Sequence, residues 1–325
     1  MKRLLLPLCA LAALSARAEV LVYEGFHSAD YGNVAAGGNV TASSYTLTGQ
    51  HTIGVSTANW NAMGGSQIKV FGSNYGLSLP AEMTAAGFSV VGGSIGLNPG
   101  NTSSEHRGMS HNLASGVLNA SSGTLYFRML LNLDSTAAVR LSAGATLAQK
   151  NGGYFGFGFG KAPTSSNYYS PTSLQSALSF VIWKNSSSQY VLSFVHTTAS
   201  GTTFTSYPLI TGITLGKTYV CYAEVQVGAG TDDKEILRAG AMAVDDYTMD
   251  TPWTKLDGDS ESVEIELITA ENYPTCMAVA GPYGTNNGYF RADEIVVGTE
   301  ITDILAATTT RPSLKDGALS FANGT

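Results

Sequence analysis

The sequence predicts an all-β fold, a sandwich of two antiparallel sheets, and three observations carry that prediction. Only 13% of the 325 residues are charged, too few to clothe the polar faces of long amphipathic helices. Glycine is abundant at 37 residues, which suits many tight turns between short elements. Finally, apolar and polar residues alternate with a period of two over most of the chain.

The first eighteen residues, MKRLLLPLCALAALSARA, combine a basic start, an apolar middle and an Ala-x-Ala end, the pattern of a secretory signal peptide. The run from Leu4 to Leu14 is too short to cross a bilayer and no later stretch spans one, so the expectation is an exported, soluble product beginning at Glu19, secreted or held at the cell surface. About 300 residues remain, enough for one large β domain. The first strand is expected from Glu19 to Phe26. A short surface helix follows at Leu79 to Ala86, with Pro80 near its first turn and Gly87 as its stop.

Thr124 to Leu133 is the central-strand candidate. Its alternation places Leu125, Phe127, Met129 and Leu131 on one face, and Tyr126, Arg128, Leu130 and Asn132 on the other. In GYFGFGFG, Phe155, Phe157 and Phe159 share a face, and the glycines opposite allow close packing by a second sheet or a neighbouring strand. Lys161 to Gln175, rich in Ser, Thr, Tyr and Pro, reads as a long surface loop. Further strands are expected at Ala177 to Trp183, Gln189 to His196, Thr202 to Ser206, Lys217 to Val227, Ile236 to Val244, Ser262 to Ile268, Thr275 to Ala280 and Phe290 to Val297. Residues 306–325 open with a linker composition and end in ALSFANGT, which resembles the first strand of a truncated further module.

The net charge of −7 excludes the lysine- and arginine-rich surface that nucleic acid requires. Of the three cysteines, Cys9 lies in the signal segment, leaving Cys221 and Cys276. In an oxidising compartment they form one disulfide or remain two buried thiols, and their spacing leaves both readings open. His106 and His111 do not have a helical ligand spacing and read as surface or core residues. Asp232, Asp233 and Glu235, with Asp245, Asp246 and Asp250, are oxygen donors of the kind calcium takes, but they read as solvated turns. Asp293 and Glu294 are expected to pin a turn or to pair with Arg291 or a neighbouring strand. Aromatic candidates for a sugar platform are Tyr168, Tyr169, Trp183, Tyr190, Trp253, Tyr283 and Tyr289. Trp183, in the apolar SFVIW, is expected in the core, whereas Tyr168, Tyr169 and Tyr283 lie in Ser-, Gly- and Pro-rich surroundings that suit exposure.

Four segments together carry a family resemblance: Val22-Tyr23-Glu24-Gly25-Phe26, Leu125-Tyr126-Phe127-Arg128, Leu215-Gly216-Lys217-Thr218-Tyr219, and Arg291-Ala292-Asp293-Glu294-Ile295-Val296-Val297-Gly298-Thr299. In this order they resemble concanavalin A-like, laminin-G-like jelly-roll domains, with near variants in secreted proteins of verrucomicrobial and planctomycete type. The resemblance runs from Glu19 to Leu305, implying one domain over 19–305 with its first and last strands adjacent. It also implies a concave face or loop rim that binds carbohydrate, in some members with calcium, although other members are spacers. Jelly-roll glycosidases set Glu-x-Asp-x-x-Glu on one strand. Here the nearest segment is Glu264-Ile265-Glu266-Leu267-Ile268-Thr269, which lacks the third acid and reads as a solvated strand face. The expectation is therefore a secreted, non-catalytic carbohydrate-binding or adhesive module without a cofactor. Its ligand would be a polysaccharide or other glycan bound around Tyr168, Tyr169 and Tyr283. The alternatives are a ligand-free spacer domain and a jelly-roll glycoside hydrolase.

Overall fold

The computed structural model describes residues 20–41, 51–58, 60–63, 68–85, 92–97, 106–118, 123–138, 141–144, 153–161, 175–197, 204–227, 235–247, 262–265, 274–282, 289–305, 312–315 and 318–321. Its strands are β1 (Val20–Glu24), β2 (Asn39–Thr41), β3 (Asn61–Met63), β4 (Ile68–Phe71), β5 (Ser94–Leu97), β6 (His106–Asn112), β7 (Gly123–Leu133), β8 (Tyr154–Lys161) and β9 (Gln175–Lys184). They continue with β10 (Tyr190–Thr197), β11 (Phe204–Thr211), β12 (Thr218–Val227), β13 (Glu235–Ala243), β14 (Ser262–Ile265), β15 (Cys276–Pro282), β16 (Phe290–Gly298), β17 (Pro312–Lys315) and β18 (Ala318–Phe321). Helices are short: α1 (Ala81–Ala85), α2 (Ser135–Ala138) and α3 (Ile301–Leu305).

Two antiparallel sheets form a jelly-roll sandwich. The nine-stranded sheet runs β14-β13-β12-β7-β16-β5-β4-β2, with β1 also paired to β16, and the seven-stranded sheet runs β11-β10-β9-β8-β15-β6-β3. The first strand thus lies against the last strand of the domain. Among the described residues, β17 and β18 pair only with each other. Segment 1–19 lies outside the described residues.

Alternation places the core as expected. Leu125, Phe127, Met129 and Leu131 of β7 meet Phe155, Phe157 and Phe159 of β8 between the sheets, where burying each large side chain contributes roughly 1.5–3 kcal/mol. Arg128 points to the other face of β7, but it is only 2% exposed. That face is covered: Leu77, Met83, Tyr247, Ile301 and Ile304 form a second apolar cluster over Leu130, Tyr222 and Val296. Beneath it Arg128 donates from Nη1 to Ile304 O at 3.0 Å and lies 3.6 Å from Glu294 Oε2. Alternation separates two faces, but it does not say whether the second one meets water.

α3 follows β16 directly. The Asp303 carboxylate accepts from Glu300 N at 2.9 Å and Thr299 N at 3.0 Å, closing the first turn from its third position. A Cβ at Gly298 would collide with Asp303, so glycine lets the helix fold back onto the sheet. The ladder between β16 and β7 slips between Asp293 and Val296, and Glu294 within the slip has φ +50°. That bulge turns Glu294 towards Arg128 and towards Tyr23 of β1, whose Oη donates to Glu294 Oε1 at 3.3 Å. The first and last strands are thereby joined by side chains as well as by backbone.

Candidate functional site

The sequence-derived platform residues Tyr168, Tyr169 and Tyr283 lie outside the described residues, as do Trp253, Asp232, Asp233 and Asp250. Glu264 occupies β14 in register with Ile236. The two cysteines are not brought together. Both are free and buried: Cys221 of β12 belongs to the core between the sheets, whereas Cys276 of β15 packs with Ala177 and Ala278 on the outer face of the other sheet. Cys276 Sγ donates to Gly160 O at 3.3 Å. Burial raises both thiol pKa values, that of Cys276 to about 12, so neither behaves as a reactive thiolate. His111 is likewise a core residue, with Nε2 2.7 Å from Ser56 O and a pKa pushed down to about 4 by burial.

Trp183 departs from expectation. Its neighbour Ile182 enters the core, so Trp183 stands on the outer face of the seven-stranded sheet, half-buried against Tyr154, Val181 and Val195. The apolar run around it belongs to a strand covered on both sides, and within such a run hydrophobicity does not reveal which residues face outward. Its indole N–H donates to Ser193 Oγ at 2.9 Å, which fixes the ring.

Register then lines up two rows of mostly small residues beside this ring. One row across the sheet reads Ser206, Val195, Ser179, Gly158, Ala278 and Ser110, and the next reads Pro208, Ser193, Val181, Gly156, Ala280 and Gly108. The glycines are sterically required: a Cβ on Gly158 would strike Ser179 and come within 2.6 Å of Leu178 O, and one on Gly156 would lie 2.7 Å from Val181 Cγ1. The neighbouring strand fills the glycine-lined face, one of the two occupants the sequence allowed. At the ends of the first row, the hydroxyls of Ser110 and Ser206 are buried without a hydrogen-bond partner among the described residues. No described residue in either row is ionisable.

The ionisable groups concentrate elsewhere, under the first and last strands. Glu24 is fully buried, its Oε1 accepting from Phe26 N at 2.7 Å and its Oε2 from Tyr31 Oη at 3.3 Å. Desolvation pushes its pKa up to about 8. Asp293 is also buried, accepting from Leu77 N and Glu294 N, each at 2.8 Å, and desolvation followed by the Glu294 charge raises its pKa. Asp293 and Glu294 therefore pin backbone and pair with a neighbouring strand, as anticipated, though the cation is Arg128. These carboxylates hold the fold together and lie out of a ligand's reach. Among the described residues, no group of three or more His, Cys, Asp or Glu is placed to hold a metal ion. Asp245 is engaged by Lys217 at 3.1 Å. That pair lies beside a cavity of about 490 Å³ between the two sheet edges, lined by Leu209, Ile210, Met242, Tyr219 and Thr214.

No protein-family model matches the sequence, and no curated protein matches it. Among solved structures, the chain is similar to a variant of the alginate lyase Aly36B in complex with alginate trisaccharide, at 12% identity and TM-score 0.42, over 74% of this chain and 87% of that one. It is also similar to the T. cruzi calreticulin globular domain (12% identity, TM-score 0.39, 76% and 86% covered). A third likeness is to the Emp47p carbohydrate recognition domain (11% identity, TM-score 0.36, 65% and 85% covered).

Proposed function

We propose that the protein is an exported, non-catalytic module that binds carbohydrate on the outer face of its seven-stranded sheet, with Trp183 as the stacking ring. The observation that carries this reading is the partly exposed indole of Trp183 on the outer face, held by its hydrogen bond to Ser193 Oγ beside rows of small residues. A sugar ring presents the C–H faces that stack on such an indole. The non-catalytic part is supported by the chemistry of the same rows, since glycoside hydrolysis requires paired carboxylates and the described rows hold none. Export is proposed from the N-terminal segment.

The second reading is a spacer within a larger surface protein, and a specific observation favours it: Ser110, Ser179 and Ala278 on this face are 0% exposed. A glycan array with the mature protein separates the two. Binding that is lost in Trp183→Ala while thermal stability is retained supports the carbohydrate reading. Absence of binding to every glycan supports the spacer, and cleavage of any glycan overturns the non-catalytic assignment.

A further inference from the structure

Residues 51–56 cross from one sheet to the other. Ile53 bridges to Tyr23 of β1, each amide donating to the other's carbonyl at 3.0 Å, and Val55 bridges to Leu113 just after β6. Ser56 N donates to Asn112 O at 3.0 Å, and Ala114 N to Gly54 O at 2.8 Å. β1 belongs to the nine-stranded sheet and β6 to the seven-stranded one, so this strap laces the two sheets together. Gly54, at φ +63°, lets it pass close to β1, where a Cβ would strike Leu21 O.

The strap begins at a histidine pair. The rings of His27 and His51 stack with centroids 3.7 Å apart, 14° from parallel, and both residues are half-buried, so protons reach them from solvent. His51 is tied to the buried Asp30: its backbone N donates to Asp30 Oδ2 at 3.1 Å, and its Nδ1 lies 3.3 Å from the same oxygen. His27 caps the single 3-10 turn Ser28–Tyr31, its Nδ1 accepting from Ala29 N at 3.3 Å. An accepting nitrogen carries no proton, so the neutral His27 ring holds its proton on Nε2. The capped turn supplies Asp30 to the strap, and it supplies Tyr31 to Glu24 and Trp60.

A proton meets unequal surroundings on the two rings. On His51 it faces the Asp30 carboxylate. On His27 it turns Nδ1 into a donor, which costs the bond from Ala29 N, and it sets a charge against the stacked second ring. Burial, followed by the charge of His51, lowers the His27 pKa, and Asp30 acts in the opposite direction as the smaller influence. Among the described residues, the charged groups about the pair are Asp30 and, beyond it, Glu24. A folded-state value below the unfolded 6.5 means that the neutral His27 stabilises this corner above pH 6.5, and that the contribution is lost as pH falls through the folded value. The far end of the strap is held differently: Ser56 O lies 2.7 Å from His111 Nε2, and burial lowers the His111 pKa to about 4.

We infer that His27 and His51 form an acid-sensitive latch, in which protonation of His27 breaks its cap and its stack and frees the near end of the strap that joins the two sheets. The latch is independent of the carbohydrate reading, since it uses neither Trp183 nor the rows beside it.

The test combines histidine-ring NMR and amide hydrogen exchange of the full mature chain between pH 7.5 and about 5.5. At pH 7.5 His27 should show the Nε2–H tautomer, and on acidification it should titrate below 6.5. Corrected for the intrinsic pH dependence of exchange, opening at the Ile53 amide should rise up to about tenfold across this range. His27→Asn keeps a capping acceptor without a titrating charge and should abolish that rise. His51→Phe keeps a ring in the stack without its charge and should move the His27 titration upward. A rise at Ile53 that persists in His27→Asn, or a His27 titration in His51→Phe that does not move, overturns the latch. In the unaltered protein, an Nδ1–H tautomer at pH 7.5 or a His27 titration at 6.5 or above overturns it without any variant.

Discussion

Replacing Glu24 with glutamine should stabilise the protein increasingly as pH rises. Glu24 is 0% exposed, and its pKa is about 8 in the fold against 4.5 for the free side chain. A folded-state pKa above the unfolded one favours the protonated acid in the fold. That contribution is complete below pH 4.5 and is lost as pH rises through 8. The separation of about 3.5 units corresponds to roughly 5 kcal/mol, nearly all of it gone by pH 8.5. A glutamine side chain keeps an acceptor for Phe26 N and carries no charge to desolvate, so the Glu24→Gln variant escapes the loss. Urea denaturation of both proteins from pH 4.5 to 8.5 measures the difference directly. It should grow by several kcal/mol in favour of Glu24→Gln, with a slope near 1.4 kcal/mol per pH unit in the middle of the range. A difference that stays flat with pH would show instead that Glu24 ionises in the fold as easily as in water.

Two further outcomes follow from the same physics. His111 and His196 are both pushed down to about 4 by burial, so their stabilising neutrality is present above pH 6.5 and lost as pH falls towards 4. His196→Leu should therefore raise the melting temperature relative to wild type more at pH 4.5 than at pH 7, and a shift equal at both pH values would contradict it. Gly158→Ala should cost roughly 1–3 kcal/mol in chemical denaturation through overpacking against Ser179 and Leu178 O, whereas an unchanged midpoint would show that the neighbouring strand yields freely.

Most of the sandwich was legible in the chain because its long strands alternate strictly. β7, β9, β10, β12, β13 and β16 fall where the period of two places them, and the Phe155, Phe157 and Phe159 face enters the core. The short strands β2 to β5, of three or four residues each, carry too few alternations to register. The candidate sites were less legible for a different reason. Trp183 looked like core because its strand is apolar on both faces, and only the cross-strand register shows that Ser110, Gly158, Ser179 and Ser206 line up beside it. Arg128 illustrates the remaining gap: its face was readable, but its cover by α3 and the segment around Met83 depends on long-range packing.

Whether carbohydrate binds against Trp183 can be followed in the indole N–H signals of the ¹⁵N-labelled mature protein during glycan titration. The chain holds three tryptophans, of which Trp60 is 2% exposed with its Nε1 donating to Tyr31 Oη, so it serves as an internal reference. The Trp183 signal, absent from the Trp183→Ala spectrum, should shift saturably with a bound glycan while the Trp60 signal stays fixed. A glycan that binds without moving the Trp183 signal would contradict it.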